Sequence, residues 1–263
     1  RLNLTVKGGV LAHRVLFQGN RATGVEVESG DETFTVSGDE IVLCAGGIAS
    51  PRLLLLSGVG PAGHLGELGL RVVKDLPGVG QNLRDHPLIT IDLNQRAGVD
   101  LAGQTPRIQV GLRYTATGSS TRNDMQVFSS SYSGAVTGDP LQGTSPKRSE
   151  GMRFTCILEL ADSAGELRLN SADPAAPPRL EYRYFESEWD RRRMREAVHL
   201  CLRLLKHEAF GPLVDGRISP ADRDLASDDA LDGSPEAVRF GRRRQGPNET
   251  GRSRRTSITR SHR

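Results

Sequence analysis

Alternating apolar and polar residues in the first part of the chain predict short, closely spaced β-strands. Small groups of turn residues separate the apolar runs, namely Gly8-Gly9, Gln18–Asn20 and Gly30-Asp31. Turn residues in such short links are typical of β-hairpins, so we expect an antiparallel meander. The predicted strands are Leu4–Val6, Val10–Phe17, Gly24–Ser29, Glu32–Val36 and Ile41–Cys44.

The second part of the chain predicts strands joined by longer polar links. The strands expected there are Leu88–Asn94, Ile108–Tyr114, Met125–Tyr132, Met152–Leu160 and Gly165–Leu169. Alternation is clear in Met125–Phe128 and Glu166–Leu169, which indicates a sheet with one face in water. The link Ser133–Glu150 is rich in Gly, Ser and Pro and predicts a loop.

The longest predicted helix is Glu186–Phe210. Its apolar residues recur at spacings of three and four and define one face: Met194, Ala197, Val198, Cys201, Leu204 and Leu205. A solvated face is predicted for Arg191, Arg192, Arg195 and Lys206. Ser227 is the expected N-cap of a further helix, because acidic residues follow it at the positive end of the helix dipole.

The segment Asp39–Pro87 differs from its surroundings and predicts strand, tight turn and helix in succession. An apolar run ends at Ala45 and is followed by Gly46-Gly47, and Ser50-Pro51 then precedes a run of leucines. Ser50 suits an N-cap, and Pro51 suits the first helical position, where no amide hydrogen bond is lost. This order of elements brings bare backbone close to a bound nucleotide. A second short helix, Pro61–Leu68 with Gly69 as its left-handed end, and a short strand at Val72-Val73 are predicted to follow.

The same segment resembles the second signature region of the glucose-methanol-choline (GMC) flavin oxidoreductases. About twenty positions match in register, and they include Ser50-Pro51, Ser57–Pro61, Asp75–Gly80 and Asp85–Pro87. A match of this length is far more specific than a single glycine motif. Gly47 stands where the family more often has Ala, and the turn tolerates this departure because Gly only loosens it.

The resemblance implies an FAD cofactor and contacts to it from three small residues. By register with the family, backbone at Ala12 touches the adenine part of FAD, and Ala45 and Gly46 lie close to the adenosine or phosphates. Two alternatives stay open here: Ala12 is an ordinary strand residue, and Ala45-Gly46 is a plain turn. In the family, a histidine removes the hydroxyl proton of an alcohol substrate, which makes the carbinol carbon a hydride donor to the flavin.

The resemblance also implies a mixed α/β fold with two partial domains. Residues 1–87 correspond to part of a Rossmann-like FAD-binding domain with a cover over the flavin, and residues 88–232 to part of an antiparallel-sheet substrate domain with flanking helices. The chain begins with Arg1 instead of Met, so we expect the true start to be missing. The N-terminal dinucleotide motif and the C-terminal catalytic histidine region are not found, and we expect this polypeptide to be inactive.

The amino-acid composition of the C-terminal end differs from that of the rest of the chain. Residues 233–263 hold nine Arg and two Glu, so the net charge of +3 results from a tail of +7 and a body of −4. We expect the tail to be disordered, and its abrupt Arg-rich composition favours a change of reading frame. The body is mildly acidic, so the positive net charge belongs to the tail alone and is no argument for a nucleic-acid-binding fold. Cys44, Cys156 and Cys201 lie in separate apolar contexts and predict reduced core thiols in a cytoplasmic protein without a membrane span.

The sequence offers no catalytic residue and no metal ligands. Asn82, Asp85 and His86 are interpreted as residues that hydrogen-bond within an irregular loop, and His199 and His207 as ordinary helix residues. The expected partner is a small alcohol, and the oligomeric state is left open. Two other functions are considered: a noncatalytic remnant that serves as a binding or scaffold module, and nonspecific binding of nucleic acid through the Arg-rich tail.

Overall fold

The computed structural model describes residues 3–99, 108–137 and 147–234, and these residues form a mixed α/β fold, as predicted. The strands are β1 (Leu11–Gln18), β2 (Arg21–Ser29), β3 (Glu32–Ser37), β4 (Val59–Gly60), β5 (Lys74–Asp75), β6 (Gln81–Leu83), β7 (Leu88–Gln95), β8 (Ile108–Tyr114), β9 (Met125–Thr137), β10 (Lys147–Leu158), β11 (Gly165–Arg168), β12 (Arg179–Glu181) and β13 (Val214–Ser219). The α-helices are α1 (Gly46–Leu56), α2 (Ala62–Glu67), α3 (Glu188–Leu204) and α4 (Asp228–Asp232), and short 3-10 helices cover Glu208–Phe210 and Asp222–Leu225.

The described residues divide into two compact units, and the first is discontinuous in sequence. It contains residues 3–81 together with residues 166–181, whereas the second contains the described parts of residues 82–165 and 182–234. Residues 166–181 were assigned above to the substrate domain, yet they pack within the first unit. The assignment of residues 1–87 and 88–232 to cofactor and substrate domains stays a prediction.

The antiparallel meander predicted for the first unit is confirmed. Strands β1, β2 and β3 form a three-stranded antiparallel sheet in that order. Its tight turns contain Gly19 and Gly30, both with positive φ, which glycine adopts without steric cost. The predicted strand Leu4–Val6 is wrong, because these residues form no strand and their side chains are exposed.

The strand predicted at the beginning of the signature segment is also wrong. Residues 41–45 have no strand conformation, and the Val42 side chain is 72% exposed. Strand conformation requires a neighbouring strand for the backbone hydrogen bonds, and the part of the chain that the structure describes supplies none there. The prediction that Cys44 is a core thiol fails for the same reason, since this residue is exposed.

Helix α1 begins five residues earlier than predicted. Its first residue is Gly46 and its N-cap position is Ala45, so Ser50 and Pro51 lie inside the helix. The helix ends at Leu56, where Gly58 follows with a φ of 82°. The next predicted helix is confirmed as α2, which is followed by Gly69 in the left-handed region. The short strand predicted at Val72-Val73 is displaced to Lys74–Asp75, where it pairs in parallel with β4.

A nearly buried histidine joins α2 to residues 166–181 within the first unit. The imidazole of His64 is 9% exposed, and its Nε2 atom accepts a hydrogen bond of 3.1 Å from the Leu169 N–H group. Burial lowers the pKa of His64, and the Arg168 guanidinium, 3.1 Å from Nδ1, lowers the pKa further. Glu67 and Glu166 act in the opposite direction. The neutral form of His64 therefore accepts the hydrogen bond that attaches residues 166–181 to α2.

Stability of the first unit is expected to depend on pH through His64. The unfolded imidazole binds a proton near pH 6.5, whereas the folded one binds it only at lower pH. This contribution is therefore fully present above pH 6.5 and is lost as the pH falls through the folded pKa. We expect the Leu169 amide to lose hydrogen-exchange protection as the pH falls from neutral to below 6.5, after correction for intrinsic exchange rates. The effect corresponds to roughly 1–2 kcal/mol, the value of one buried hydrogen bond.

A glutamine at position 64 is the matched control for this titration. The Gln side chain can still accept the Leu169 N–H bond but does not titrate. In His64→Gln, corrected protection of the Leu169 amide should be independent of pH over the same range. An equal pH dependence in the variant and the parent would show that a different group is responsible.

The second unit is a five-stranded antiparallel sheet with helix α3 packed against it. The strand order is β13-β7-β10-β9-β8, and the register pairs Phe154 with Ile91 and Cys156 with Val127. These four side chains belong to the buried core, which also includes residues of α3. Strands β9 and β10 extend into the segment Ser133–Glu150, so the predicted loop is too long, and its middle, residues 138–146, lies outside the described residues.

Helix α3 has the predicted apolar face but different ends. Met194, Ala197, Val198 and Cys201 are buried, and the Ser187 hydroxyl accepts the Trp189 N–H at the helix start. The α-helix ends at Leu204 and is followed by a 3-10 turn, so the prediction to Phe210 is too long by six residues. Cys156 and Cys201 are buried with their sulfur atoms 3.4 Å apart, which confirms two of the three predicted core thiols.

The basic face predicted on α3 is only partly solvated. Arg195 is 13% exposed at its side chain and pairs with Glu188 and Asp232, and Arg191 pairs with the same two carboxylates. The predicted helix start at Ser227 is confirmed, because its hydroxyl accepts the Ala230 N–H at the start of α4. None of the helices in the described residues is long and apolar enough to cross a membrane.

Candidate cofactor site

The predicted cofactor residues lie on two elements of the first unit that pack against each other. Ala12 is in β1, beside a register irregularity between Ala12 and Arg14. Three residues later, the Val15 N–H donates a hydrogen bond of 2.8 Å to the buried Ser57 hydroxyl at the end of α1. That hydroxyl donates in turn to the Leu53 carbonyl at 2.5 Å. The Ser57 side chain thus fixes β1 against the helix whose other end carries Ala45 and Gly46.

Ala45 and Gly46 form an exposed turn of bare backbone at the start of α1. Ala45 has φ −90° and ψ 11°, and Gly46 has a φ of 80°, in the region that disfavours side chains. A Cβ atom added at Gly46 or Gly47 would meet no other atom within 4 Å. The space in front of this backbone is therefore open, so the residues present leave room for part of a large cofactor.

The start of α1 is electrostatically suited to an anion. The first turn contains no acidic residue, and Ala45 provides no capping side chain. The first N–H groups of an α-helix lack intrahelical partners and form the positive end of its dipole. Ser50, from inside the helix, accepts the Ala45 N–H at 3.0 Å. The other amides at the helix start point to a region where phosphate oxygens are favourable ligands.

Two serines that were not predicted as site residues support the backbone of the site. Ser50 was interpreted as an N-cap, but its hydroxyl reaches back to Ala45 from within α1. Ser57 was identified only as part of the family match Ser57–Pro61, although its hydroxyl accepts the Val15 N–H of β1. Neither contact has a local sequence signal, because each depends on where the helix begins or on a strand 42 residues away.

The polar residues at the end of the signature segment make the loop hydrogen bonds predicted for them. Asp85 accepts the His86 N–H at 2.8 Å and the Tyr184 hydroxyl at 2.8 Å, all within the second unit. The His86 Nδ1 atom lies 3.3 Å from the Glu159 carboxylate. Asn82 has a φ of 60°, as expected for an Asn in an irregular loop. Within the described residues, no group of His, Cys, Asp or Glu side chains is arranged to hold a metal ion.

A pocket in the second unit differs from the turn at Ala45-Gly46 because it is lined by side chains instead of bare backbone. Its lining residues are Ile89, Phe185, Arg191, Met194, Arg195, Leu231 and Asp232. The two guanidinium groups on its rim are already paired with carboxylates. The pocket therefore offers no uncompensated charge to a ligand, and the cofactor site rests on the first unit.

Comparison with protein families identifies the class of this fold. Residues 1–88 match the N-terminal sequence model of the GMC oxidoreductases, and residues 161–253 match the C-terminal one. The second match includes part of the segment after Gly233 for which composition favours a change of frame. The two matches together cover more than half of the chain, which belongs to the GMC oxidoreductase family. Members of this family are FAD-dependent flavoproteins.

Individual relatives agree with this assignment. The chain is 33% identical over 215 residues to an uncharacterized GMC-type oxidoreductase of Rhodococcus erythropolis, covering 82% of this chain and 41% of the relative. It is 30% identical over 251 residues to an oxygen-dependent choline dehydrogenase of Photobacterium profundum, covering 88% and 44%. The chain thus spans less than half the length of these relatives.

Solved structures show the same fold. Pyridoxine 4-oxidase from Mesorbium loti superposes with a TM-score of 0.73 at 21% identity, covering 85% of this chain and 43% of that one. A formate oxidase of Aspergillus oryzae gives a TM-score of 0.67 at 22% identity, covering 84% and 47%. At these identities, the agreement concerns the fold.

Proposed function

We propose that this chain is part of an FAD-dependent oxidoreductase that oxidises the alcohol group of a small molecule. The observation that carries the proposal is the open turn of bare backbone at Ala45-Gly46, within the residues that match the GMC family. When bound, FAD supplies the hydride acceptor for such an oxidation. In the proposal, Ala12, Ala45 and Gly46 hold the adenosine side of the cofactor.

The proposed roles follow from the shape and charge of the first unit. Backbone at Gly46 approaches the cofactor closely because no side chain intervenes, and the amides at the start of α1 favour phosphate oxygens. Ala12 contributes from β1, which the Ser57 hydroxyl attaches to the same helix. The described residues supply no candidate for the proton-accepting base, so we propose that this chain has no activity by itself.

The proposed substrate is a small alcohol, as in the choline dehydrogenases and the pyridoxine oxidase to which the chain is similar. The half-exposed face of the five-stranded sheet is proposed as part of the substrate domain. We further propose a cytoplasmic location, which is supported by three cysteines that are all free.

Purified chain is expected to retain FAD on gel filtration, with a visible absorption band shifted from that of free FAD. The variant Gly47→Glu should weaken binding about tenfold or more, since it places a carboxylate where phosphate is proposed to bind. The same substitution favours the helix itself, because Glu in the first turn is stabilising. Loss of FAD in this variant would therefore not be attributable to unfolding.

Gly8→Glu is the matched control, since it adds the same charge at an exposed glycine of the first unit where a Cβ has free space. We expect it to bind FAD as the parent does. Complete recovery of free FAD from the parent protein would contradict the proposed function. Equal FAD affinity in Gly47→Glu and the parent would contradict the proposed location.

A further inference from the structure

We propose that Ser50 is a positioning residue of the cofactor site, one that fixes the Ala45 backbone in the conformation that presents it to FAD. This inference rests on the proposed function. Its basis is the hydrogen bond of 3.0 Å from the Ala45 N–H to the Ser50 Oγ atom. Ser50 itself does not contact the cofactor in this proposal, because its hydroxyl acts through Ala45.

The turn at Ala45 has few other means of being held. Ala45 occupies the N-cap position with no hydroxyl or carboxylate of its own, and no side chain of the first helical turn is acidic. Gly46 and Gly47 contribute no side-chain atoms. In many helices, a Glu three residues into the helix accepts the N-cap N–H group, and here the Ser50 hydroxyl takes over that task from farther along the chain.

The position of the supporting hydroxyl also explains how the turn remains bare. A capping side chain at residue 45 or a Glu in the first turn would occupy or repel the region in which an anionic cofactor binds. Ser50 is partly buried within α1, and it supplies the required acceptor from inside the helix. Two residues further along α1, the Arg52 guanidinium donates to the carbonyls of Pro174 and Ala176, which attaches the helix to that segment of the same unit.

The test is Ser50→Ala, with two readouts on the intact chain. Removing the acceptor should speed hydrogen exchange at the Ala45 amide roughly fivefold to tenfold in the absence of cofactor, as expected for one lost hydrogen bond. The dissociation constant for FAD, followed by the shifted visible absorption, should rise by a similar factor. Far-UV circular dichroism of the variant should be unchanged, because an exposed hydrogen bond contributes little to folding.

Two further variants separate positioning from general destabilisation. Ser50→Thr keeps the hydroxyl and should restore both readouts to within about twofold of the parent. Ser227→Ala removes an equivalent hydroxyl, the one that accepts the Ala230 N–H at 3.1 Å at the start of α4 in the second unit. This variant should leave the FAD dissociation constant unchanged, although it removes the same kind of bond from a helix start.

The possible results distinguish this inference from the proposed function. If the parent binds FAD and Ser50→Ala binds it equally well, the role of Ser50 is overturned while the proposed function stands. Unchanged exchange at the Ala45 amide would also overturn it, whatever the FAD result. If the parent binds no FAD, the proposed function is overturned together with the cofactor role of Ser50.

Discussion

Arg193→Met is expected to lower the free energy of unfolding of the second unit by about 3–5 kcal/mol, the usual cost of removing one partner from a buried ionic network. The guanidinium of Arg193 is 3% exposed at its side chain and lies 2.9 Å from Asp124 and 2.7 Å from Asp190. Both carboxylates are completely buried at their side chains. Methionine fills a similar volume but leaves two buried negative charges without a cation.

The cost is large because this network connects three parts of the second unit. Asp124, at the start of β9, accepts the Ala116 N–H at 2.9 Å. Asp190, in α3, accepts the N–H groups of Asp162 and Ser163 at 2.8 and 2.7 Å. Burial alone would raise the pKa of Asp124, but the Ala116 amide and Arg193 outweigh it, and the net pKa is lowered. Without Arg193, only the hydrogen bonds to Asp124, such as that from the Ala116 amide, still oppose the effect of burial on its pKa.

Urea unfolding followed by tryptophan fluorescence measures this effect. Trp189 is the single tryptophan of the chain and lies in α3, so its emission reports on the second unit. The guanidinium groups of Arg193 and Arg192 both lie over the Trp189 ring, at 5.1 and 5.6 Å from its centroid. Arg192→Met is the control, because it removes a similar ring contact at an exposed residue. We expect the control to change the free energy by less than about 1 kcal/mol, the value of an exposed cation–π contact.

The pH dependence provides a second check on the mechanism. The lowered pKa of Asp124 means that its stabilising contribution in the parent is present at neutral pH and is lost as the pH falls through the folded pKa. The unpaired Asp124 carboxylate of Arg193→Met can be relieved by protonation instead. The difference between variant and parent should therefore shrink below about pH 4, near the ordinary carboxyl pKa. A difference that stays constant with pH would indicate a packing defect.

Arg193 also shows what the sequence could not predict. Four of the five residues Arg191–Arg195 are Arg, and the pattern predicted a solvated face for three of them, Arg191, Arg192 and Arg195, with no separate signal for Arg193. Arg193 faces two aspartates, of which one is 69 residues distant along the chain. Helical periodicity predicted the apolar face of α3 correctly, because that face depends on local spacing. Burial of a single charged neighbour depends on a remote partner.

Elements that are specified by residues close together in the sequence were predicted well. Elements that depend on contacts with distant parts of the chain were not. The hairpins of β1 to β3 and the cap at Ser227 follow from turn and capping chemistry within a few residues. The predicted strand at residues 41–45 had suitable residues but required a neighbouring strand. The association of residues 166–181 with the first unit depends on contacts such as His64 to Leu169, which are 105 residues apart.

For the cofactor site, the family resemblance located the segment, and the structure supplied the physical arrangement. Small residues at positions 45–47 were recognised as a place where backbone can approach a ligand. Their conformation, and the hydroxyls of Ser50 and Ser57 that support it, could not be inferred until the first residue of α1 was known. The contacts of Ala12, Ala45 and Gly46 with FAD stay predictions that the binding experiments test.

Gly80→Ala is expected to destabilise the first unit by about 3 kcal/mol, which combines the cost of a left-handed backbone for a residue with a side chain and the cost of overpacking. Gly80 has a φ of 84°, and a Cβ there would overlap the carbonyl oxygen of Leu167. The same two residues are hydrogen-bonded, since the Leu167 N–H donates to the Gly80 carbonyl at 2.6 Å. The backbone at this contact cannot move away without losing that bond.

Gly78→Ala is the closest available control, because Gly78 lies in the same turn with open space at its Cβ position and no positive φ. Hydrogen exchange of the Leu167 amide measures both variants in the unit concerned. We expect at least about a hundredfold loss of protection in Gly80→Ala, the equivalent of 3 kcal/mol, and almost none in Gly78→Ala. Equal protection in the two variants would contradict the close contact. In the sequence, these glycines are two residues apart and equivalent, and only the strand that passes beside one of them makes it irreplaceable.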